Sequence, residues 1–125
     1  MFSSDSVKKF NNLPTPFYYY DIDIIKNNLK SLKYSLRSNN KVHFSVKSNT
    51  NKRILEIVKS YNLGVDAVSY NEIKHCLDQG FDSKDIVFAG VGKTDEEIKT
   101  AIEKVIAYFN VESFQELDVI NQLSK

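Results

Sequence analysis

Little in this chain invites cross-linking or metal chemistry. Its single cysteine, Cys76, has no internal partner, so no disulfide can form within the chain, and a reducing, cytoplasmic setting fits. The two histidines, His43 and His75, stand far apart and no CxxC pair accompanies them, which leaves no metal-ligand cluster. No apolar run approaches the roughly 18 residues of a membrane span, and the opening residues Met1–Asn12 are polar, without a signal-peptide core. Net charge is missing too: 17 basic against 16 acidic side chains leave +1, no electrostatic case for nucleic acid or an anionic membrane. Arginine is scarce beside lysine. What remains is ordinary for a globular chain: 125 residues, 42% hydrophobic and 26% charged, the size of one small domain.

Met1–Asn12 reads as a short helix or loose arm. Leu13-Pro14-Thr15-Pro16 is extended, because each proline pushes its predecessor out of the helical region. Phe17–Tyr20 reads as a short aromatic strand; no basic stripe accompanies it to make a stacking platform for nucleic acid. Asp21 is placed to cap a helix whose apolar stripe is Ile22, Ile25, Leu29, Leu32 and Leu36.

A repeat follows. The strand Val42–Val46 puts Phe44 and Val46 on one face, with Val42 beside them. It leads to a helix over Asn51–Ser60 with Ile54, Ile57 and Val58 inward. The strand Gly64–Val68 leads to a helix over Asn71–Gln79, ended by Gly80. The strand Ile86–Ala89 leads to a helix from Thr94 with the stripe Ile98, Ala101, Ile102 and Val105. The strand Ile106–Val111 leads to a helix from Ser113 with Leu117, Ile120 and Leu123 inward. Thr94 with Glu97, and Ser113 with Glu116, have capping-box spacing.

Strand centres near residues 44, 66, 88 and 109 give a period of about 22 residues, the length of one βα unit with its loops. Strands alternating with helices mean a parallel sheet. The expected architecture is α/β, the N-terminal half of a (β/α)8 TIM-like barrel of about four βα units; a doubly wound open sheet is the alternative. Residues 1–21 form an arm and strand, and residues 22–125 the half-barrel. A complete barrel takes about 250 residues, and a half-barrel leaves an unpaired edge on each side. The chain is therefore expected to be a piece of a longer protein, or to need a partner.

Barrels place their chemistry at the carboxyl ends of strands, and Val42-His43-Phe44-Ser45-Val46 runs into Lys47 there. Pattern alone leaves two readings: a lysine snorkelling at a strand end, or a desolvated amine whose lowered pKa lets it form a Schiff base with an aldehyde. Asp66 is a carboxylate inside the apolar strand Gly64–Val68, costly unless paired. Glu72 opens a helix, where the dipole favours a carboxylate whatever its role. His43, His75 and Cys76 read as packing or surface residues. Gly92-Lys93-Thr94 resembles the end of a phosphate-binding loop, but the required earlier glycine is Val87. The dinucleotide fingerprint fails as well, at Asp95. A glycine-rich strand-to-helix turn is the plain reading.

Taken together, Thr15–Asp21, Val42–Asn49, Gly64–Ser69 with Glu72-Ile73, Ile86–Ile98 and Phe109–Ser113 resemble diaminopimelate decarboxylases, in order and over nearly the whole chain from Leu13. The lysine motif alone is shared with the wider group of barrel pyridoxal-phosphate enzymes, including alanine racemase and the ornithine and arginine decarboxylases. The stretch Ala89-Gly90-Val91-Gly92-Lys93-Thr94-Asp95 with Asn110-Val111-Glu112-Ser113 is more particular.

The resemblance implies that Lys47 holds pyridoxal 5'-phosphate and is the catalytic lysine, with Asp66 and Glu72 near the cofactor. It implies loss of the D-centre carboxylate of meso-diaminopimelate to give L-lysine, the last step of lysine biosynthesis. It implies a cytoplasmic homodimer acting on a small amino-acid substrate, with neither nucleic acid nor membrane as partner. A related decarboxylase of another basic amino acid, or a non-catalytic half-barrel needing a partner, are the alternatives. The chain departs from the family at Ser45 and Ser48, where alanine is usual, and at Tyr70-Asn71, often two glycines. The phosphate loop, the carboxylate facing the pyridine nitrogen, the substrate-binding arginines and the C-terminal β-domain, which the Phe17–Tyr20 strand would join, lie beyond residue 125 in the family. The 125 residues alone are therefore expected to bind the cofactor weakly and to be inactive.

Overall fold

The computed structural model describes every residue except Met1, Ser3 and Ser38. The N-terminal arm is a helix, α1 (Ser4–Phe10); Met1 and Ser3 of the expected arm lie outside the described residues. Then come α2 (Ile22–Ser35), β1 (His43–Ser45), α3 (Lys52–Ser60), β2 (Gly64–Ala67), α4 (Tyr70–Asp78), β3 (Ile86–Phe88), α5 (Asp95–Glu103), β4 (Tyr108–Phe109) and α6 (Phe114–Leu123). The strands form one parallel sheet in the order β1-β2-β3-β4. Each new strand is added on the same side, without the reversal that a doubly wound sheet requires.

Register sorts the side chains. His43 pairs with Gly64, Ser45 with Asp66, and Asp66 with Val87. Partners in register point the same way, so His43, Ser45, Asp66 and Val87 share one face. The other face carries Val65, Ala67, Ile86 and Phe88, all buried against the helices. Leu55, Val58, Ile73, Cys76 and Ala101 close that core from the helical side. Burying a side chain such as Leu55 or Phe88 contributes about 1.5–3 kcal/mol. Leu55 was not among the residues expected inward; Ile57, which was, is half-buried.

Two expectations need correction, and the strand expected at Phe17–Tyr20, whose partner was placed outside residues 1–125, stays a proposal: it pairs with no strand among the described residues. Its rings turn to α1 instead, Phe17 and Tyr19 packing on Phe10 and Tyr19 also on Phe2; a strand exists only where a partner's backbone is within reach. The strand entering Lys47 stops at Ser45, and Lys47 sits on a 3-10 turn, Val46–Ser48. Local side-chain bonds compete with the ladder there: Ser48 Oγ donates to the Ser45 carbonyl at 2.6 Å, and Asn49 Oδ1 accepts from Asn51 N at 2.9 Å. Finally, Leu117 is 48% exposed and its neighbour Phe114 85%, because no described element covers that face of α6.

The helix starts follow their caps. Asp21 accepts from Asp23 N and Ile24 N. Thr94 and Glu97 complete a reciprocal capping box. Ser113 makes only half of one: it accepts from Glu116 N, but the Glu116 carboxylate turns to Glu112 N and to Lys93. Ser69 and Glu72 form a third pair at this spacing, unanticipated from the sequence, with Glu72 Oε2 accepting from Val68 N at 2.9 Å.

These carboxylates predict a pH response. Glu97 lies below its ordinary value chiefly because Tyr70 N donates to it, with Thr94 adding two further bonds against the opposing effect of burial. Burial pushes Glu116 up, and the bonds from Lys93 and Glu112 with the charge of Lys93 outweigh it. Both groups ionise more readily folded than unfolded. Their stabilisation is present above the unfolded value of about 4.5 and is lost as pH falls through the lower folded values. Thermal melts should show a lower Tm at about pH 3 than at about pH 6, and Glu97→Gln with Glu116→Gln should flatten that difference.

Candidate active site

The βα loops at the carboxyl ends of the strands are held by side chains from the helices that follow. Glu72 ties the β2–α4 loop through Val68 N, and Glu97 reaches across to Tyr70 N at 3.0 Å. His75 Nε2 bonds the Thr50 carbonyl at 2.9 Å, fastening the segment after Lys47 to α4. Lys47 thus emerges, exposed, from a turn anchored at both ends, and β2 packs against that turn. Lys47 is exposed, so residues 1–125 by themselves do not supply the desolvation that one of its two readings calls for.

Asp66 comes from β2 onto the face shared with Ser45, half-buried, with Oδ1 buried and without a hydrogen-bond partner. The structure therefore brings Lys47 and Asp66 to one end of adjacent elements. Glu72 stands in the loop beside them, with one oxygen committed to Val68 N. Lys47 and Asp66 fit an aldehyde-bearing, polar cofactor: an accessible amine that can add to a carbonyl, and a carboxylate with an open acceptor. A cavity of about 210 Å³ lies elsewhere, between Leu29, Leu36, Val42, Tyr61 and Leu63 at the amino end of β1, the wrong end for barrel chemistry.

Two residues weighed on sequence resolve as structural. Cys76 is fully buried, and burial with the charge of Glu72 pushes its thiol up to about 12, so it packs and does not react. Lys93 is no phosphate ligand. Its ammonium donates to the carbonyls of Gly90 (2.7 Å) and Asn110 (2.9 Å) and to Glu116 Oε1, and its side chain is 1% exposed. An ammonium has three donors, and all three are used. The turn that delivers it needs its glycines: Gly90 and Gly92 have φ of 91° and 80°, and a Cβ on Gly90 would stand 3.2 Å from that of Val68.

A parallel run of βα units with an amine at the carboxyl end of its first strand defines part of a barrel-type enzyme domain. Comparison with known proteins identifies which. Residues 22–125 match the sequence model of the pyridoxal-dependent decarboxylase, pyridoxal binding domain, family, and the chain belongs to that family. It is 42% identical over 120 residues to diaminopimelate decarboxylase of Bacteroides thetaiotaomicron, covering 94% of this chain and 31% of that one. Against the enzyme of the same name from Campylobacter jejuni it is 37% identical over 112 residues, 89% of this chain and 28% of the relative. The solved diaminopimelate decarboxylase of Helicobacter pylori, complexed with L-lysine, superposes with a TM-score of 0.85 at 36% identity, over 94% of this chain and 30% of that one. The chain thus spans about a third of its relatives' length and is the N-terminal part of their barrel fold. The family is pyridoxal-dependent.

Proposed function

We propose that the protein carrying this chain is a cytoplasmic diaminopimelate decarboxylase, a homodimer that releases the D-centre carboxylate of meso-2,6-diaminopimelate as carbon dioxide and leaves L-lysine. The observation that carries the reading is Lys47, held accessible at the carboxyl end of β1 in a chain 42% identical to an enzyme of that name. Residues 22–125 are the first half of its cofactor-binding barrel, and Phe17–Tyr20, unpaired here, join a β-domain outside residues 1–125.

Lys47, Asp66 and Glu72 are the residues of this chain that would hold pyridoxal phosphate. When bound, that group supplies an aldehyde carbon and a ring that takes up the electron pair left by departing carbon dioxide. Lys47 Nζ would hold the aldehyde carbon and, when free of it, would hold a proton beside the reacting centre. Asp66 sets a carboxylate next to the turn of Lys47, where a fixed negative charge favours cationic nitrogen. Glu72 holds the loop after β2 and so fixes the strand end from which Asp66 projects.

The test is the full-length protein that carries residues 1–125, which should release carbon dioxide from meso-diaminopimelate with formation of lysine, and not from ornithine or arginine. A chimera in which residues 1–125 replace the matching part of the Bacteroides thetaiotaomicron relative isolates the contribution of Lys47, Asp66 and Glu72. A folded full-length protein that takes up the cofactor yet leaves meso-diaminopimelate intact would sink the reading.

A further inference from the structure

One arrangement recurs at the carboxyl ends of the strands. His75 of α4 bonds the Thr50 carbonyl after β1 at 2.9 Å, Glu97 of α5 accepts from Tyr70 N after β2 at 3.0 Å, and Glu116 of α6 accepts from Lys93, which follows β3. Each helix thus holds the loop of the unit before it. The His75 tie lands closest to the amine. Only Ser48 and Asn49 separate Lys47 from Thr50, so the two Cα atoms lie within about 11 Å of one another whatever the turn does.

The bonds made inside this segment give it its shape. Asn49 N donates to the Val46 carbonyl at 3.0 Å, and Asn49 Oδ1 accepts from Asn51 N at 2.9 Å. Such bonds do not fix where the turn stands against the rest of the sheet. His75 does, because it reaches the segment from another unit. Its own base is firm: Ile73 and Cys76 of α4 are fully buried, and Ser69 and Glu97 hold the start of that helix. On the other side of Lys47, Val46 is fully buried. The lysine therefore sits between a core residue and a tied carbonyl. A carbonyl only accepts, so His75 Nε2 carries the hydrogen, and the neutral tautomer and the imidazolium can both supply it. Reaction at an amine on a long, flexible stem depends on where its backbone origin is held.

We propose that His75 is a positioning residue for Lys47: its Nε2 hydrogen bond to the Thr50 carbonyl fixes the turn from which the amine projects, and so sets how readily Lys47 captures pyridoxal phosphate. The requirement is an N–H at one place, not an imidazole as such.

The inference rests on Lys47 holding the cofactor, and its experiment separates the two ideas. In the full-length protein, capture is read as the cofactor concentration giving half-maximal borohydride-fixed label on Lys47. His75→Ala should need about fivefold more cofactor. His75→Gln, whose amide nitrogen falls near the place of Nε2, should restore capture, and His75→Asn, one carbon shorter, should not. Amide hydrogen exchange needs no cofactor. The Asn49 amide should exchange about fivefold faster in His75→Ala and return to the wild-type rate in His75→Gln, while the amides of β3 keep their rates. Unchanged capture in His75→Ala, a loss in His75→Gln as large as in His75→Ala, or an Asn49 amide that does not respond would overturn the proposal. So would β3 amides that speed up in step, the mark of a general loosening. Absence of any label on Lys47 in the wild type would instead sink the functional reading and leave the exchange arm to decide this one.

Discussion

Lys47→Arg should abolish borohydride-stable labelling by pyridoxal phosphate and lower decarboxylation of meso-diaminopimelate by roughly 10³-fold or more, in the chimera with the Bacteroides thetaiotaomicron relative. Arginine keeps the positive charge but never deprotonates, so it cannot add to an aldehyde. The substitution separates charge from nucleophilicity at one position. Stability should scarcely move, because the Lys47 side chain is exposed and its turn is closed by other residues: Ser48 Oγ on the Ser45 carbonyl, Asn49 N on the Val46 carbonyl, and His75 on Thr50. Peptide mass spectrometry of the reduced protein should find the label on the peptide containing Lys47 in the wild type and on none in the variant. Retention of more than about a tenth of the activity would leave the fold standing and remove Lys47 from the chemistry.

The repeat was legible because its signals are local. Strand centres, the Asp21 and Thr94 caps and the Gly80 helix end each depend on a few neighbouring residues, and each is found where the spacing places it; the apolar stripes hold only in part, since Leu32 is 40% exposed and Val105, past the end of α5, 64%. Lys47 and Asp66 stand out in the sequence for the same reason, as charges beside and inside apolar strands, and their role at a cofactor is a proposal. What the pattern leaves open depends on a second segment. The Phe17–Tyr20 pattern is strand-like, its expected partner lies outside residues 1–125, and among the described residues its rings pack on α1. Leu117 has helical periodicity, but burial needs a neighbour. The row of His43, Ser45 and Asp66 exists only once β1 and β2 are placed in register, and single-chain pattern reads His43 as packing. A signal for Glu72 was present and went unused: Ser69 and Glu72 repeat the spacing of Thr94 and Glu97, which marks a loop tie as well as a carboxylate.

Lys93→Ala should be strongly destabilising, costing about 3–5 kcal/mol, the usual result of stripping one partner from a buried ion pair. The sequence presents Lys93 as the lysine of a glycine-rich turn, yet its ammonium is the knot of three segments. It joins the Gly90 carbonyl after β3, the Asn110 carbonyl after β4 and the Glu116 carboxylate of α6, and it lies 5.5 Å over the Phe88 ring. Removing it strands two carbonyls and a carboxylate whose side chain is only 13% exposed. The Glu116 value would then rise, because burial persists and the compensating bond and charge are gone. Lys93→Met should recover the stem's packing on Phe88 but not the bonds. Lys93→Met with Glu116→Leu should be far less damaging than the sum of the two single changes, since an apolar pair leaves no unmatched charge. Urea unfolding of the four proteins closes the cycle, and additivity within about 0.5 kcal/mol would show that the two side chains do not act as one unit.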